Sequence, residues 1–301
     1  MGFAKHPVRR KPKIRVLTTL ISNIQGGRAM PSPTEITTAQ LFRLIGLPHC
    51  PVLIDVCIDA DFSESPYIIP GAKRHAAQDI AALVPQLTHS RVVIICQKGK
   101  KMSQGAAAIL RHHGIQAETL AGGNQAWHEA QLPMIPASSI PTCGNNGHSV
   151  WVTKQRPKVD RIACPWLIRR FVDSKAQFLF VSSSEVLDVA EKFNANAFDV
   201  EGSLWNHRGD QCSFDTMLEQ FNLCTPELDR LADIVRGADT NCLNLTPQSA
   251  GLLAASLGFS RMYKNDLEQL EASMPLYDAL YRWCRDAVEE THDSNSRLKK
   301  D

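Results

Sequence analysis

Cys96 is the residue of this chain best placed for covalent chemistry. It directly follows Val92, Val93, Ile94 and Ile95, an apolar, β-branched run that predicts a strand buried on both faces. Gln97, Lys98, Gly99, Lys100 and Lys101 then form a loop. From Met102 a helical pattern begins, with Met102, Ala106, Ile109 and Leu110 on one face and Gly114 as its C-cap. A cysteine between a strand end and a helix N-terminus meets loop amides and the positive end of the helix, a natural anion site. The same field favours the thiolate, which is the nucleophile. The plain alternative is a small packed residue. Against it stand a glycine three positions on, which lets the backbone curl, and three lysines, a poor lining for an inert core.

A second set of reactive side chains lies in the other half: Asp160, Arg161, Cys164, His207, Arg208, Asp210, Cys212, Asp215 and Asp239. Cysteine, histidine and aspartate together could ligate a transition metal or form a redox site. If Cys164, His207 and Cys212 converge, one metal ion per chain is expected. Arg161, Arg169 and Arg208 could bind an oxyanion. In the plain reading Asp160 and Asp215 cap helices, the cysteines are packed and the arginines are solvated. Cys143 and His148 are a weaker pair, because two ligands do not define a site.

The elements that must position these residues alternate in type. Thr37 or Thr38 caps a helix carrying Leu41, Leu44 and Ile45 and closed by Gly46. The strand VLIDV (Val52 to Val56) follows, then a helix over 77–84 stopped by Pro85. After the Cys96 segment come the strand Glu118-Thr119-Leu120, a tight turn at Gly122 and Gly123, and a helix with Trp127. Strands alternating with helices imply a parallel sheet with helices on both faces, and ligands in such sheets bind at the carboxyl ends of the strands. Residues 136–149, rich in proline, serine and glycine, read as a linker. Beyond it come a short strand at Trp151-Val152-Thr153 and a helix entered at Asp160, with Pro165 in its first turn. A strand at 178–181, a helix at 185–193 and a strand or turn at Phe198-Asp199-Val200 follow. Helical stretches at 213–222, 226–237, 247–257 and 265–290 complete a helix-rich α+β half. Met274, Leu276, Tyr277, Leu280 and Tyr281 read as core or interface.

Two resemblances join these readings. VLIDV, IPGA (Ile69 to Ala72), the Cys96 loop and GGNQAW (Gly122 to Trp127) stand in the order found in rhodanese-like sulfurtransferases. The resemblance covers about a third of the chain and implies an α/β fold with Cys96 as the persulfide-forming nucleophile. Gln97, Lys98, Gly99, Lys100, Lys101 and Met102 would bind the substrate, and Asp55 would be the structural aspartate near the site. No cofactor is implied for sulfur transfer. The departures are Lys101 in place of the usual loop arginine, which removes bidentate anion recognition, Lys98 in place of a common serine, Met102 in place of a small residue, Cys57 in place of an arginine, and Ile68 in place of the histidine that commonly precedes IPGA. The loop keeps the sulfurtransferase length, one residue shorter than in the related cell-cycle phosphatases. The second resemblance rests on WVTKQRPKVDRIACPWLIRRF, FDV, HRGDQCSFD, IVRGADT and YDALYRWCR. Together these are similar to the carboxyl-terminal domain of ChrB-type chromate-resistance proteins, implying a context of chromate, a tetrahedral dianion.

The domains expected are therefore a basic tail over 1–30, a rhodanese-like domain over 31–135, a linker over 136–149 and a chromate-resistance-type domain over 150–301. The function expected is sulfur transfer from a thiosulfate-like donor to cyanide or a thiol. The alternative is a non-catalytic oxyanion sensor or regulator. The net charge of +2 gives no global bias toward nucleic acid, leaving the basic tail as the only candidate for such contact. Met30 is an alternative start. Nine scattered cysteines without a CxxC pair suggest a reducing, cytoplasmic setting, and no apolar run reaches the length of a membrane span.

Overall fold

The computed structural model describes residues 33–144 and 147–290; the expectations for 1–30 and Met30 lie outside the described residues. The first half contains β1 (Glu35–Ile36), α1 (Thr38–Phe42), β2 (Val52–Asp55), α2 (Asp59–Glu64), β3 (Tyr67–Ile68), β4 (Ala72–Arg74), α3 (Val84–Leu87), β5 (Arg91–Ile95), α4 (Lys101–His112), β6 (Gln116–Leu120), α5 (Gly123–Glu129) and β7 (Ile135–Pro136). Five strands form one sheet in the order β1-β6-β5-β2-β4, every pairing parallel. The alternation expected of β5 is visible in its packing. Val92 and Ile94 face Ala106, Ala107 and Leu110 of α4, while Val93 and Ile95 share a core with Leu41 and Trp127 on the opposite face. All four are fully buried, as a strand covered on both faces requires.

The second half adds β8 (Val150–Lys154), α6 (Asp160–Leu167), β9 (Gln177–Val181), α7 (Val186–Phe193), β10 (Asn196–Ala197), α8 (Ser213–Gln220), α9 (Pro226–Asp239), α10 (Ser249–Met262) and α11 (Asp266–Asp286). β8 lies between β9 and β10 in a parallel three-stranded sheet, and the remainder is mostly helix. Two proline readings need correction. Pro85 does not stop a helix: a 3-10 segment over Ala77–Leu83 leads into α3, and Pro85 sits in the first turn of α3, where a missing N–H costs nothing. Pro165 lies inside α6 and not in its first turn, and α6 runs on into a π-helical turn, Ile168–Val172.

The described residues from Thr34 onward cluster as one compact unit. The apolar core on the α1 and α5 face of the first sheet continues through Trp151, Trp166, Phe171 and Tyr281. Gly46, at φ +81°, lets Phe171 and Tyr281 close over it, since a Cβ there would come within 3 Å of both rings. Met274, Tyr277 and Tyr281 are buried, in accord with the core reading of that stretch. The stretch read as a linker is fastened near both ends. β7 pairs antiparallel with β3, and Cys143 bridges Ser149. Among the described residues no helix is long and apolar enough to cross a membrane.

Asp173 is a buried polar tie between the halves. Its carboxylate, 3% exposed, accepts from the Ser149 amide at 2.7 Å and the Ser149 hydroxyl at 2.9 Å, and pairs with Lys73 Nζ at 2.8 Å. Burial alone would raise its pKa, but the hydrogen bonds from Lys73 and Ser149 outweigh it and hold the group below the usual carboxylate range. A depressed folded-state pKa contributes stability above the unfolded value, and that contribution is lost as pH falls through the folded value. Asp173→Ala should therefore lower stability at pH 7 by about 3 kcal/mol, because buried donors lose a charged acceptor. The gap to wild type should shrink below about pH 4, where the unfolded carboxyl is protonated. Thermal unfolding at both pH values tests this, and equal midpoints at pH 7 would remove Asp173 from the role.

Candidate functional site

Cys96 stands directly after β5 at the carboxyl edge of the sheet, 5% exposed. Its thiol donates to Ser103 Oγ at 3.2 Å, and the Ser103 hydroxyl donates to the Lys100 carbonyl at 3.1 Å. If Cys96 ionises, the Ser103 O–H can turn from Lys100 toward the sulfur, so one rotor serves both forms of the thiol. Ser103 lies one residue beyond the loop positions read from the sequence, fully buried in the first turn of α4. Its signal was present: a small polar residue seven positions after the cysteine, on the same helical face as Ala106, Ala107 and Leu110.

The floor of the loop is built from distant segments. Gly99 (φ +65°) and Gly123 (φ +62°) allow two backbones to touch: a Cβ on Gly123 would lie 2.0 Å from the Cys96 carbonyl oxygen, and one on Gly99 would lie 2.4 Å from the Leu120 carbonyl oxygen. The Asn124 amide donates to the Cys96 carbonyl, and the Gln125 amide to the Gln97 carbonyl, both at 3.0 Å. Asn124 Nδ2 donates to Asp55 Oδ2 at 3.0 Å, while Asp55 Oδ1 accepts from the Cys57 amide at 2.8 Å. Asp55 is buried, and its pKa is raised by that burial despite the Asn124 and Cys57 hydrogen bonds. Its carboxylate ties the segment after β2 to the first turn of α5.

Lys98, Lys100 and Lys101 are exposed and form no ion pair among the described residues, so their charge is available to a ligand. Met102 lines a cleft of about 380 Å³ together with Cys57, Asp59, Arg74 and His75. Arg74 went unnoticed in the sequence, where it looked like one more residue on a short strand. Its Nη2 donates to the Cys57 carbonyl at 3.0 Å and to Asp59 at 2.7 Å, its guanidinium lies 3.8 Å above the Phe62 ring, and its Nε is buried without a hydrogen-bond partner. β4 thus brings a guanidinium to the edge from which the Cys96 loop lacks one. A larger, apolar cavity of about 510 Å³ lies near Lys73 and Asp173 and is not lined by the Cys96 loop.

Two other cysteines, Cys50 and Cys57, are held in the thiol form. All nine are free. Burial pushes the Cys50 thiol up to about 12, and burial together with the Asp55 carboxylate does the same to Cys57. Cys57 donates weakly to the Gln97 side chain at 3.8 Å.

In the second half the structure brings Asp160, His207 and Asp239 together. Asp199, part of the FDV motif but not singled out in it, joins them. His207 Nε2 lies 3.3 Å from Asp160 Oδ2, Asp199 Oδ1 and Asp239 Oδ2. Asp199 also pairs with Arg161 Nε at 3.2 Å and Lys154 Nζ at 3.3 Å. The adjoining Asp160 carboxylate, followed by those of Asp239 and Asp199, raises the His207 pKa to about 9 against the effect of burial, and burial followed by the Asp160 charge raises that of Asp239 to about 8. Cys164 and Cys212 are not part of this donor group. Burial raises both thiols far above their ordinary range, and Cys212 Sγ turns to Asp215 Oδ2 at 3.3 Å. Asp215 takes the capping role at α8, accepting from the Cys212 amide at 3.0 Å. Arg208 stands away from the cluster, 3.9 Å from Glu219, and Asp210 is exposed at the neighbouring turn.

Residues 151–284 match the family described as ChrB, C-terminal domain. Protein ChrB of Cupriavidus metallidurans is 34% identical over 133 residues, which cover 44% of this chain and 39% of that protein. The chain thus spans about two-fifths of the length of this curated relative. Three solved structures resemble the first half. A rhodanese-related protein from Thermoplasma volcanium is 20% identical, covering 34% of this chain and 96% of that one, with a TM-score of 0.28. A rhodanese-like domain protein from Staphylococcus aureus is 28% identical, covering 31% and 90%, with a TM-score of 0.28. A thiosulfate sulfurtransferase from Pseudomonas aeruginosa is 24% identical, covering 37% and 21%, with a TM-score of 0.31. The all-parallel sheet with Cys96 at its carboxyl edge is followed, over residues 151–284, by a region similar to the ChrB C-terminal domain.

Proposed function

We propose that the chain is a sulfurtransferase that carries sulfane sulfur as a persulfide on Cys96 and acts in a cytoplasmic response to chromate. The observation that carries this reading is the placement of Cys96: a strand-end thiol against a switchable hydroxyl, in a loop clamped by two glycines and fringed by unpaired lysines. The Cys96 thiolate attacks the outer sulfur of thiosulfate, and the sulfur–sulfur bond to the sulfonate breaks. Sulfite leaves with the bonding electron pair, and the anionic persulfide later passes its outer sulfur to cyanide or a thiol. Lys98, Lys101 and Arg74 hold the departing dianion. The chromate context rests on the relatedness of residues 151–284 to ChrB.

Mass spectrometry after exposure to thiosulfate tests this reading. One added sulfur at Cys96, removed by cyanide, is expected, with Cys50 and Cys57 unmodified. Lys101→Ala should raise the KM for thiosulfate several-fold at low salt, and by less at about 1 M salt, where charge on an exposed lysine is screened within about 3 Å. Unchanged kinetics would take Lys101 out of the site.

A second reading, a non-catalytic oxyanion sensor, draws on the near-complete burial of Cys96 and the replacement of the loop arginine by lysine. Thiosulfate or chromate bound without any persulfide would establish it in place of the first.

A further inference from the structure

The cluster at His207 holds more negative charge than its own hydrogen bonds satisfy. Asp160 opens α6 immediately after Val159, whose φ of +39° is one a β-branched residue rarely adopts. Tyr277 donates to the Val159 carbonyl at 2.7 Å, and the Val159 amide donates to Ser256 at 2.9 Å, so two helices hold this conformation and aim Asp160 into the cluster. Asp239 ends α9, where the carbonyl end of a helix disfavours a carboxylate and favours a cation.

One imidazole N–H cannot serve three carboxylates at once. Asp160 is 2% exposed, and its Oδ2 has no hydrogen bond although His207 Nε2 lies 3.3 Å away, a proximity without hydrogen-bond alignment. A buried, unsatisfied carboxylate oxygen is costly, and a cation is its usual remedy. The charges of Lys154 and Arg161 go to Asp199 instead.

We infer that Asp160, His207 and Asp239 form a binding site for one divalent first-row transition-metal ion, with Asp199 at its rim. The three donor atoms lie within 4.8 Å of one another, and His207 Nε2 is 3.3 Å from each carboxylate oxygen. An ion with bonds of about 2.0 to 2.2 Å sets neighbouring donors about 3 to 3.5 Å apart, so the ion fits with little movement. The imidazole selects against calcium and magnesium, and the oxygen donors select against soft ions, leaving manganese, iron or zinc as the class. The His207 side chain is 38% exposed and gives the ion a way in. This site is separate from Cys96 and does not depend on sulfur transfer.

The test uses the full-length chain, stripped with a chelator and titrated with Mn²⁺ while free Mn²⁺ is followed by electron paramagnetic resonance. One ion bound per chain, and its displacement by Zn²⁺, are the expected results. Asp160→Asn and His207→Gln should each weaken Mn²⁺ binding at least about tenfold. Should Asp160→Asn fail to fold, His207→Gln at its half-exposed position still decides, with circular dichroism as the check on its fold. A wild-type chain that takes up neither ion stoichiometrically, or a folded His207→Gln chain that binds Mn²⁺ like wild type, overturns the inference. The His207 imidazolium would then be the cluster's own cation.

Discussion

Cys96→Ser should reduce thiosulfate-to-cyanide sulfur transfer by more than about a thousandfold, because removing a nucleophile removes the intermediate itself. A serine hydroxyl cannot hold a persulfide. It can still hydrogen-bond Ser103 Oγ, which Cys96 Sγ meets at 3.2 Å, so the loop keeps its anchor. The thermal midpoint should move little, since the change is nearly isosteric and costs about 1 kcal/mol or less. Cys57→Ser is the matched control. Its thiol, pushed up to about 12, stays protonated at neutral pH, and transfer should persist without it. Steady-state rates of the three proteins decide the matter: a Cys96→Ser protein as active as wild type would end the enzymatic reading, and loss of transfer in Cys57→Ser alone would move the nucleophile to Cys57.

Gly123→Ala should destabilise the protein by about 3 kcal/mol or more and disable the loop together with it. Two costs add. A Cβ at φ +62° meets the left-handed penalty of about 1 to 2 kcal/mol. It also lands 2.0 Å from the Cys96 carbonyl oxygen and 2.5 Å from the Gly99 amide nitrogen. Both are backbone atoms that cannot rotate aside, and overpacking of this kind costs about 1 to 3 kcal/mol more. Relief requires the Cys96–Gly99 turn to lift, which carries the thiol away from Ser103. Gly114→Ala separates the terms, because Gly114 also has positive φ, +78°, but nothing within 4 Å of its Cβ position. Denaturant unfolding should show Gly114→Ala losing only the left-handed term. Equal losses for the two variants would mean that the close approach at Gly123 does not matter.

Where Cys96 would sit could be read from the sequence because its surroundings are contiguous. β5, the loop and α4 follow one another without a break, so strand propensity, glycine and helical spacing report one place in space. The parallel sheet followed in the same way from alternating elements, as did the capping of α1 by Thr37 and of α8 by Asp215. All of these are short-range effects, fixed by periodicity and by backbone groups within a few residues.

What supports and completes the sites was decided by the tertiary structure. Asn124 reaches Asp55 across 69 positions, and Gly123 matters because of where the Cys96 carbonyl lies. Arg74 looked like any residue of a three-residue strand until β4 paired with β2 and turned it toward Cys57. Asp160 has the position of a helix cap in the sequence, yet its carboxylate meets His207 and Asp239 from two other segments, while the nearby cysteines are not among the grouped donors. Proximity between distant segments depends on which apolar faces pack together, as when Phe171 and Tyr281 close over Gly46. Periodicity tells which face of an element is buried; it does not tell which other face will bury it.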